Sequence, residues 1–297
     1  MTFEADPILA CGPLSLVLRP TLGGSIASFD YDTGAGGKIA IFRGVASGES
    51  GILDQGCFPL VPFVNRVRIG RFVFRGREIR LAPNLAGDPS PLHGSGWLAV
   101  WAVEKHDDCA LLLHFRHASG AWPWAFHAAQ HFALDANGLS VTLACTNEAA
   151  EPMPCGLGLH PYFPCTPQTV LDAEVARAWT VDAETLPVDE VPAEGRYDLR
   201  ARRICGAGLD NGFGGWGGTA RLADPAWPFQ IALRSSEARF LHVYAPAQGG
   251  FVALEPVTHA NAALNRPEEE WNALGLRVLG PGETMSLTMR VEVTPVQ

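Results

Sequence analysis

Strand after strand at hairpin spacing is the feature that most limits what this chain can become. Alternating apolar and polar residues run through LSLVLRP (Leu14–Pro20) and SIASFDYD (Ser25–Asp32), around Gly23-Gly24. The same alternation flanks Arg75-Gly76 in RFVFRGREIRLA, the Asp-Asp-Cys turn between AVWAVEKHDD and ALLLHFRHA, and Asp135-Ala136-Asn137-Gly138 between FHAAQHFAL and LSVTLACTNEA. A two-residue period places every second side chain on one face of a sheet, and Gly- and Asn-rich punctuation reverses the chain. LGLRVL and TMSLTMRVEV around Pro281-Gly282 predict a closing hairpin. Helical periodicity is confined to a short piece over Pro267–Leu274, where Glu268, Glu269 and Glu270 suit a first turn. The stretch Asp182–Glu194 reads as an excursion between strands. The expected fold class is all-β, a large antiparallel β-sandwich of two stacked sheets.

Composition agrees. The 297 residues hold 32 glycines and 23 prolines, well above an average combined share of about 12%, so turns abound. Hydrophobic residues at 47% and charged residues at 18% exclude a disordered or coiled-coil chain. With no repeat and no low-complexity linker, one domain spanning 1–297 is expected. A formal charge of −9 provides no basic footprint for nucleic acid or an anionic membrane surface. No apolar run approaches the ~18 residues that cross a bilayer. Glu4 and Asp6 stand where a signal peptide would be basic and apolar, which predicts a cytoplasmic protein. The seven cysteines, odd in number and never spaced C-x-x-C, read as small buried apolar residues in a reducing compartment.

Five places put polar groups inside apolar, Gly/Pro-bounded text. Asn65 and Arg66 follow FPLVPFV just before a strand, and an arginine there serves either an ion pair or a fork of donors for hydroxyls. His93 lies in PSPLHGSGW and His160 in CGLGLHPYFPC, each a satisfied core group or a site residue. Asp210, with Phe213 and Trp216, lies in GLDNGFGGW, where an Asx-turn is the plain alternative. Glu255 ends the apolar strand FVAL just before Pro256. A carboxylate in such surroundings is costly unless partnered, and desolvation raises its proton affinity as a general base requires.

NRVRIGRF, PLHGSGW, GLHPYF, LDNGF and ALEPVTHAN, in that order over nearly the whole chain, resemble the aldose 1-epimerase (galactose mutarotase-like) family. The resemblance implies a many-stranded supersandwich with an open sugar cleft, and cofactor-free interconversion of the α and β anomers of a free aldose. It implies Glu255 as general base and His160 as general acid, with His93 and Arg66 around the ring oxygen and hydroxyls and Asp210 on a hydroxyl. Asn65 adds a polar contact, and Tyr162, Phe213 and Trp216 are candidates for an aromatic wall; Trp97, Trp122 and Trp124 read as core or rim. Two departures stand out: Pro161 follows the acid histidine where the better-known branch has threonine, and His242 occupies a position often held by glutamine. They leave the reaction type intact and the sugar open.

The implied partner is a monosaccharide, with no metal and no cofactor, the protein acting as a monomer or homodimer. Three other readings compete. A hexose-6-phosphate 1-epimerase would need a basic cluster, and strand alternation would send Arg66 and Arg68 to one face and Arg71 to the other. A non-catalytic sugar-binding protein could use the same fold. A metal-dependent enzyme would draw on His93, His160, His242 and His259, none of which pair at H-x-x-x-H spacing.

Overall fold

The computed structural model describes residues 6–34, 36–44 and 51–296, so Glu4 lies outside the described residues. Its strands form a nine-stranded sheet, an eight-stranded sheet, a four-stranded sheet over the first forty-two residues, and two two-stranded ribbons. Pairing within the nine-stranded sheet is antiparallel, as it is in the eight-stranded one. The first four hairpins fall where alternation puts them, for example Phe126–Asp135 against Gly138–Asn147. Among the described residues no helix is long and apolar enough to cross a membrane.

Three expectations are corrected. The closing hairpin does not form: Arg277–Leu279 pairs with Met153–Cys155, and Thr284–Pro295 lies between Gly138–Asn147 and Phe229–Arg234. A twelve-residue strand with ladder partners on both sides outcompetes a three-residue neighbour. The excursion at Asp182–Glu194 contains Pro187–Pro192, the edge strand of the eight-stranded sheet, where prolines need not donate to a ladder. Arg66 and Arg68 do not sit on a strand, because residues 68–70 form a 3-10 turn. The short helical segment is present as a single turn, Glu268–Trp271.

The two large sheets share one core. Val141, Leu143 and Phe132 of the nine-stranded sheet and Leu241, Val243 and Leu254 of the eight-stranded sheet belong to the same buried cluster. Alternation then delivers the other face of the eight-stranded sheet to a second, smaller cluster that includes Phe58, Trp97, Tyr162 and Phe240. Phe213 and Trp216 are corrected here: both join the main core rather than a wall. Phe213 lies three positions from Asp210 on the strand Leu209–Gly214, so the two point to opposite faces. Trp216 donates its indole N–H to the Thr219 carbonyl at 3.0 Å. Trp97, Trp122 and Trp124 are also buried.

Phe213→Ala should therefore cost about 3–5 kcal/mol of folding stability, as for other fully buried phenylalanines. Denaturant unfolding measures it; a loss below about 1 kcal/mol would place the ring outside the core.

Candidate active site

One row of residues crosses the eight-stranded sheet at a single register. Gly212 pairs with His242 and His242 with Glu255. The pairings Gly158↔Val257 and Tyr162↔Ala253 carry the row on to His160, and Arg177↔Gly214 carries it the other way to Trp179. Pro161 has no N–H to give, and the ladder between these two strands is interrupted there. The His160 N–H instead donates to the Phe58 carbonyl at 3.0 Å, which holds the histidine in line with Glu255. Nε2 of His160 lies 3.2 Å from Oε1 of Glu255, and both side chains are buried. The His160 ring rests against Phe58 and Tyr162, with centroids 4.6 and 4.5 Å away.

Loops supply the other half. Asn65 and His93 both adopt left-handed backbone, at φ 54 and φ 58, a conformation that non-glycine residues seldom hold outside sites that over-determine it. They hold each other: the Asn65 N–H donates to Nδ1 of His93 at 3.1 Å, and the His93 N–H donates to the Asn65 carbonyl at 3.0 Å. With Nδ1 accepting, the neutral His93 ring carries its proton on Nε2. One ring nitrogen each of His93 and His160 and one Glu255 oxygen lie within 4.8 Å of one another.

The segment bearing Asn65 and Arg66 is pinned from behind by THANAALN. Nε2 of His259 accepts the Val64 N–H at 3.0 Å, and its Nδ1 donates to the Ala260 carbonyl at 2.8 Å. A side chain at Gly156 would come within 1.9 Å of that ring. Asn261 accepts the Arg66 N–H at 3.2 Å and Asn265 the Arg68 N–H at 2.8 Å. His259 thus has both nitrogens committed to backbone. This removes it from the metal-ligand set considered above; among the described residues the three donors of His93, His160 and Glu255 are the group that could hold a cation.

Asp210 and His242 form a second pair, with Oδ1 of Asp210 2.8 Å from Nε2 of His242. Arg66 donates to Oδ1 of Asn65 at 3.3 Å, which turns the Asn65 amide nitrogen toward Nδ1 of His242, also at 3.3 Å. The neutral His242 ring is then the Nε2–H tautomer. Arg66 also donates to Asp88 at 2.9 Å, and Arg68 to Asp182 at 3.1 Å, so the positive charge of each is already matched. Arg43 covers the rings of Tyr162 and Phe251 at 4.1 and 4.5 Å.

Burial dominates the electrostatics. It pushes the Glu255 carboxyl up to about 7, against the charge of His242, which acts to lower it. Burial, aided by His242, holds the His160 imidazole down to about 3. At rest His160 is neutral, not the imidazolium that a general acid suggests, and a proton shared by the pair sits on Glu255. Burial and the neighbouring His160 likewise keep His93 neutral. For His242 burial opposes charge, but the carboxylates of Glu255 and Asp210 outweigh it and raise the ring's proton affinity. For Asp210 burial works upward, and the hydrogen bond and charge of His242 bring it below the usual carboxylate range. Oε2 of Glu255 and Nδ1 of His160 are buried without a hydrogen-bond partner, the costly condition that active sites tolerate.

Glu255, His242, Asn65 and Trp179 share one hollow, whose accessible volume of about 10 Å³ is room for about one water. Trp179, paired with Phe240 at 5.7 Å between ring centroids, closes it. Beyond Trp179, Ala260 and Asn261 lies an open groove of about 520 Å³. Sequence reasoning missed Trp179 as a wall residue, because its place depends on a register that spans four strands. Of the predicted site residues, Asn65, His242 and Glu255 line this hollow; Arg66, His93, His160, Tyr162 and Asp210 join them through contacts, and Phe213 and Trp216 go to the core.

Comparison with known proteins places the sequence and the fold in one family. The family model for aldose 1-epimerase matches residues 12–292. The uncharacterised protein YphB of Escherichia coli K12 is 38% identical over 283 residues, covering 91% of this chain and 93% of that protein. A crystal structure of a candidate aldose 1-epimerase from Escherichia coli K12 superposes with a TM-score of 0.87 at 33% identity, covering 98% of this chain and 99% of that one. A galactose mutarotase-like protein from Clostridium acetobutylicum shares the fold at a TM-score of 0.85 and 18% identity, covering 97% and 95% of the two chains. With its sequence matched almost from end to end, the chain belongs to the aldose 1-epimerase family.

Proposed function

We propose that this protein interconverts the α and β anomers of a free aldose, with Glu255 as base and His160 as acid. The observation that carries this reading is the contact of a desolvated carboxyl with a desolvated imidazole, the carboxyl lining a small hollow. Anomerisation opens the bond between C1 and the ring oxygen, rotates the aldehyde and closes on its other face. Opening takes the proton from the anomeric hydroxyl onto Glu255 while His160 gives one to the ring oxygen. Closure is the reverse transfer, from protonated Glu255 and neutral His160. One mobile proton on the pair therefore serves both directions, and each assisted transfer is worth about 10²–10⁴-fold.

Burial favours the proton on Glu255, so substrate hydroxyls must favour the charged arrangement. His93 offers its Nε2–H as a fixed donor near both groups. Asp210 keeps its second oxygen for a hydroxyl, held in place by His242. A pyranose needs more room than the closed hollow, and Trp179, half-exposed beside the open groove, is the wall that yields. A free aldose suits the site better than a sugar 6-phosphate, because Arg66 and Arg68 already pair with Asp88 and Asp182.

Freshly dissolved α-anomers of hexoses and pentoses should lose excess optical rotation faster with the protein than without it, and their 6-phosphates should not compete. Glu255→Gln and His160→Ala should each lower kcat by about 10²–10⁴-fold with sugar binding largely retained. Bound sugar with no acceleration by the wild type across the whole panel would instead indicate a non-catalytic sugar-binding protein.

The active pair carries one proton. It loses that proton as pH rises through the Glu255 value of about 7 and gains a second as pH falls toward the His160 value of about 3. The kcat/KM profile should be bell-shaped, with its alkaline limb near neutrality and its acid limb well below the ordinary imidazole range. A profile flat from pH 4 to pH 9 would contradict the assignment.

A further inference from the structure

Six of the seven cysteines stand as neighbours in three pairs: Cys11 with Cys109, Cys145 with Cys155, and Cys165 with Cys205. All are free thiols. Their spacing in the sequence gives no sign of this, and small apolar packing alone does not call for pairing. Cys145 and Cys155 are sealed in the core at 0% exposure. Cys205 is only half-buried, whereas its partner Cys165 lies at 8% exposure.

The surroundings of Cys205 fix its sulfur. The Gly250 N–H donates to Sγ at 3.3 Å, and Sγ reaches the Cys165 carbonyl at 3.5 Å. The Cys165 N–H in turn donates to the Gly250 carbonyl at 3.1 Å. Three segments thus meet at one point: the end of the strand Tyr162–Pro164, the chain just after Arg202–Arg203, and the turn that precedes Phe251–Val257. A Cβ on Gly249 would come within 3.0 Å of the Cys205 sulfur, so the glycine leaves that flank of the thiol uncovered.

We propose that Cys165 and Cys205 are a modification site, a dithiol that closes to a reversible disulfide when the folded protein meets hydrogen peroxide. The thiolate of Cys205, the more accessible sulfur, attacks one peroxide oxygen, breaking the O–O bond to give a sulfenic acid and water. The Cys165 thiol then displaces the hydroxyl of that sulfenic acid, forming the S–S bond and a second water. Two thiols are oxidised by one peroxide, which is reduced to two waters. Burial raises the proton affinity of the Cys165 thiol, which leaves the first attack on peroxide to Cys205. The bridge would tie the strand that carries Tyr162 to the segment after Arg203, closing a loop that the unfolded chain otherwise leaves open.

The test is to expose the native protein to graded peroxide, alkylate remaining thiols, digest without reduction and map the peptides by mass. The expected product is a cross-linked peptide pair containing Cys165 and Cys205, about 2 Da lighter than the sum of the free peptides, which dithiothreitol separates. It should precede any Cys145–Cys155 bridge and be absent in Cys205→Ser. The melting temperature of the oxidised wild type should rise by several degrees and that of oxidised Cys205→Ser should not. Full alkylation of both Cys165 and Cys205 at peroxide doses that already oxidise surface methionines would overturn the proposal, as would Cys205 trapped only in bridges to another cysteine. None of these readouts depends on the sugar chemistry.

Discussion

Everything at the candidate site depends on keeping the Glu255 carboxyl out of water beside His160. In water the carboxyl would titrate in the usual acidic range and the imidazole near neutrality, so a proton shared by the two would sit on the imidazole. Desolvation moves them past each other, to about 7 and about 3. The sheet achieves this by register. Neighbouring strands present His242, Glu255 and His160 in one row, with Gly212 contributing no side chain and Trp179 closing the edge.

Such a row needs a rigid opposite wall, and here the loops are built as firmly as strands. The left-handed pair Asn65 and His93 hydrogen-bond reciprocally. Behind them His259, Asn261 and Asn265 accept three backbone N–H groups of the segment from Val64 to Arg68. The motif ALEPVTHAN thus joins two functions in nine residues: Glu255 reaches the hollow, and the residues after it position the loop that faces Glu255. A metal-ligand role for His259 would require giving up one of its two backbone hydrogen bonds.

Much of this was legible in the sequence, and the failures have physical causes. Strand alternation located four hairpins because their partners are neighbours in the chain, whereas the partners of Thr284–Pro295 lie far away and only the folded sheet shows them. Glu255, His160, His93 and Asp210 stood out as polar groups in apolar text, which is what a buried site looks like in one dimension. Phe213 was read as a wall through proximity to Asp210, although parity along the strand already separated them. Trp179 had no local signal, since its place depends on register summed across strands. The arginines at 66 and 68 gave no hint of their carboxylate partners, which arrive from loops at Asp88 and Asp182.

A buried ionisable group kept for chemistry leaves a thermodynamic signature apart from any substrate. Because the folded Glu255 titrates near 7 rather than near its ordinary value of 4.5, the native state holds more protons than the unfolded state between those limits. Its contribution to stability falls as pH rises across that window. The most direct measurement is the unfolding free energy of wild type and Glu255→Gln from pH 4 to pH 8. The two should be similar at pH 4, with the variant becoming progressively more stable toward pH 8. A variant less stable than wild type by the same margin at every pH would contradict the account, because Glu255 would then be an ordinary structural carboxylate.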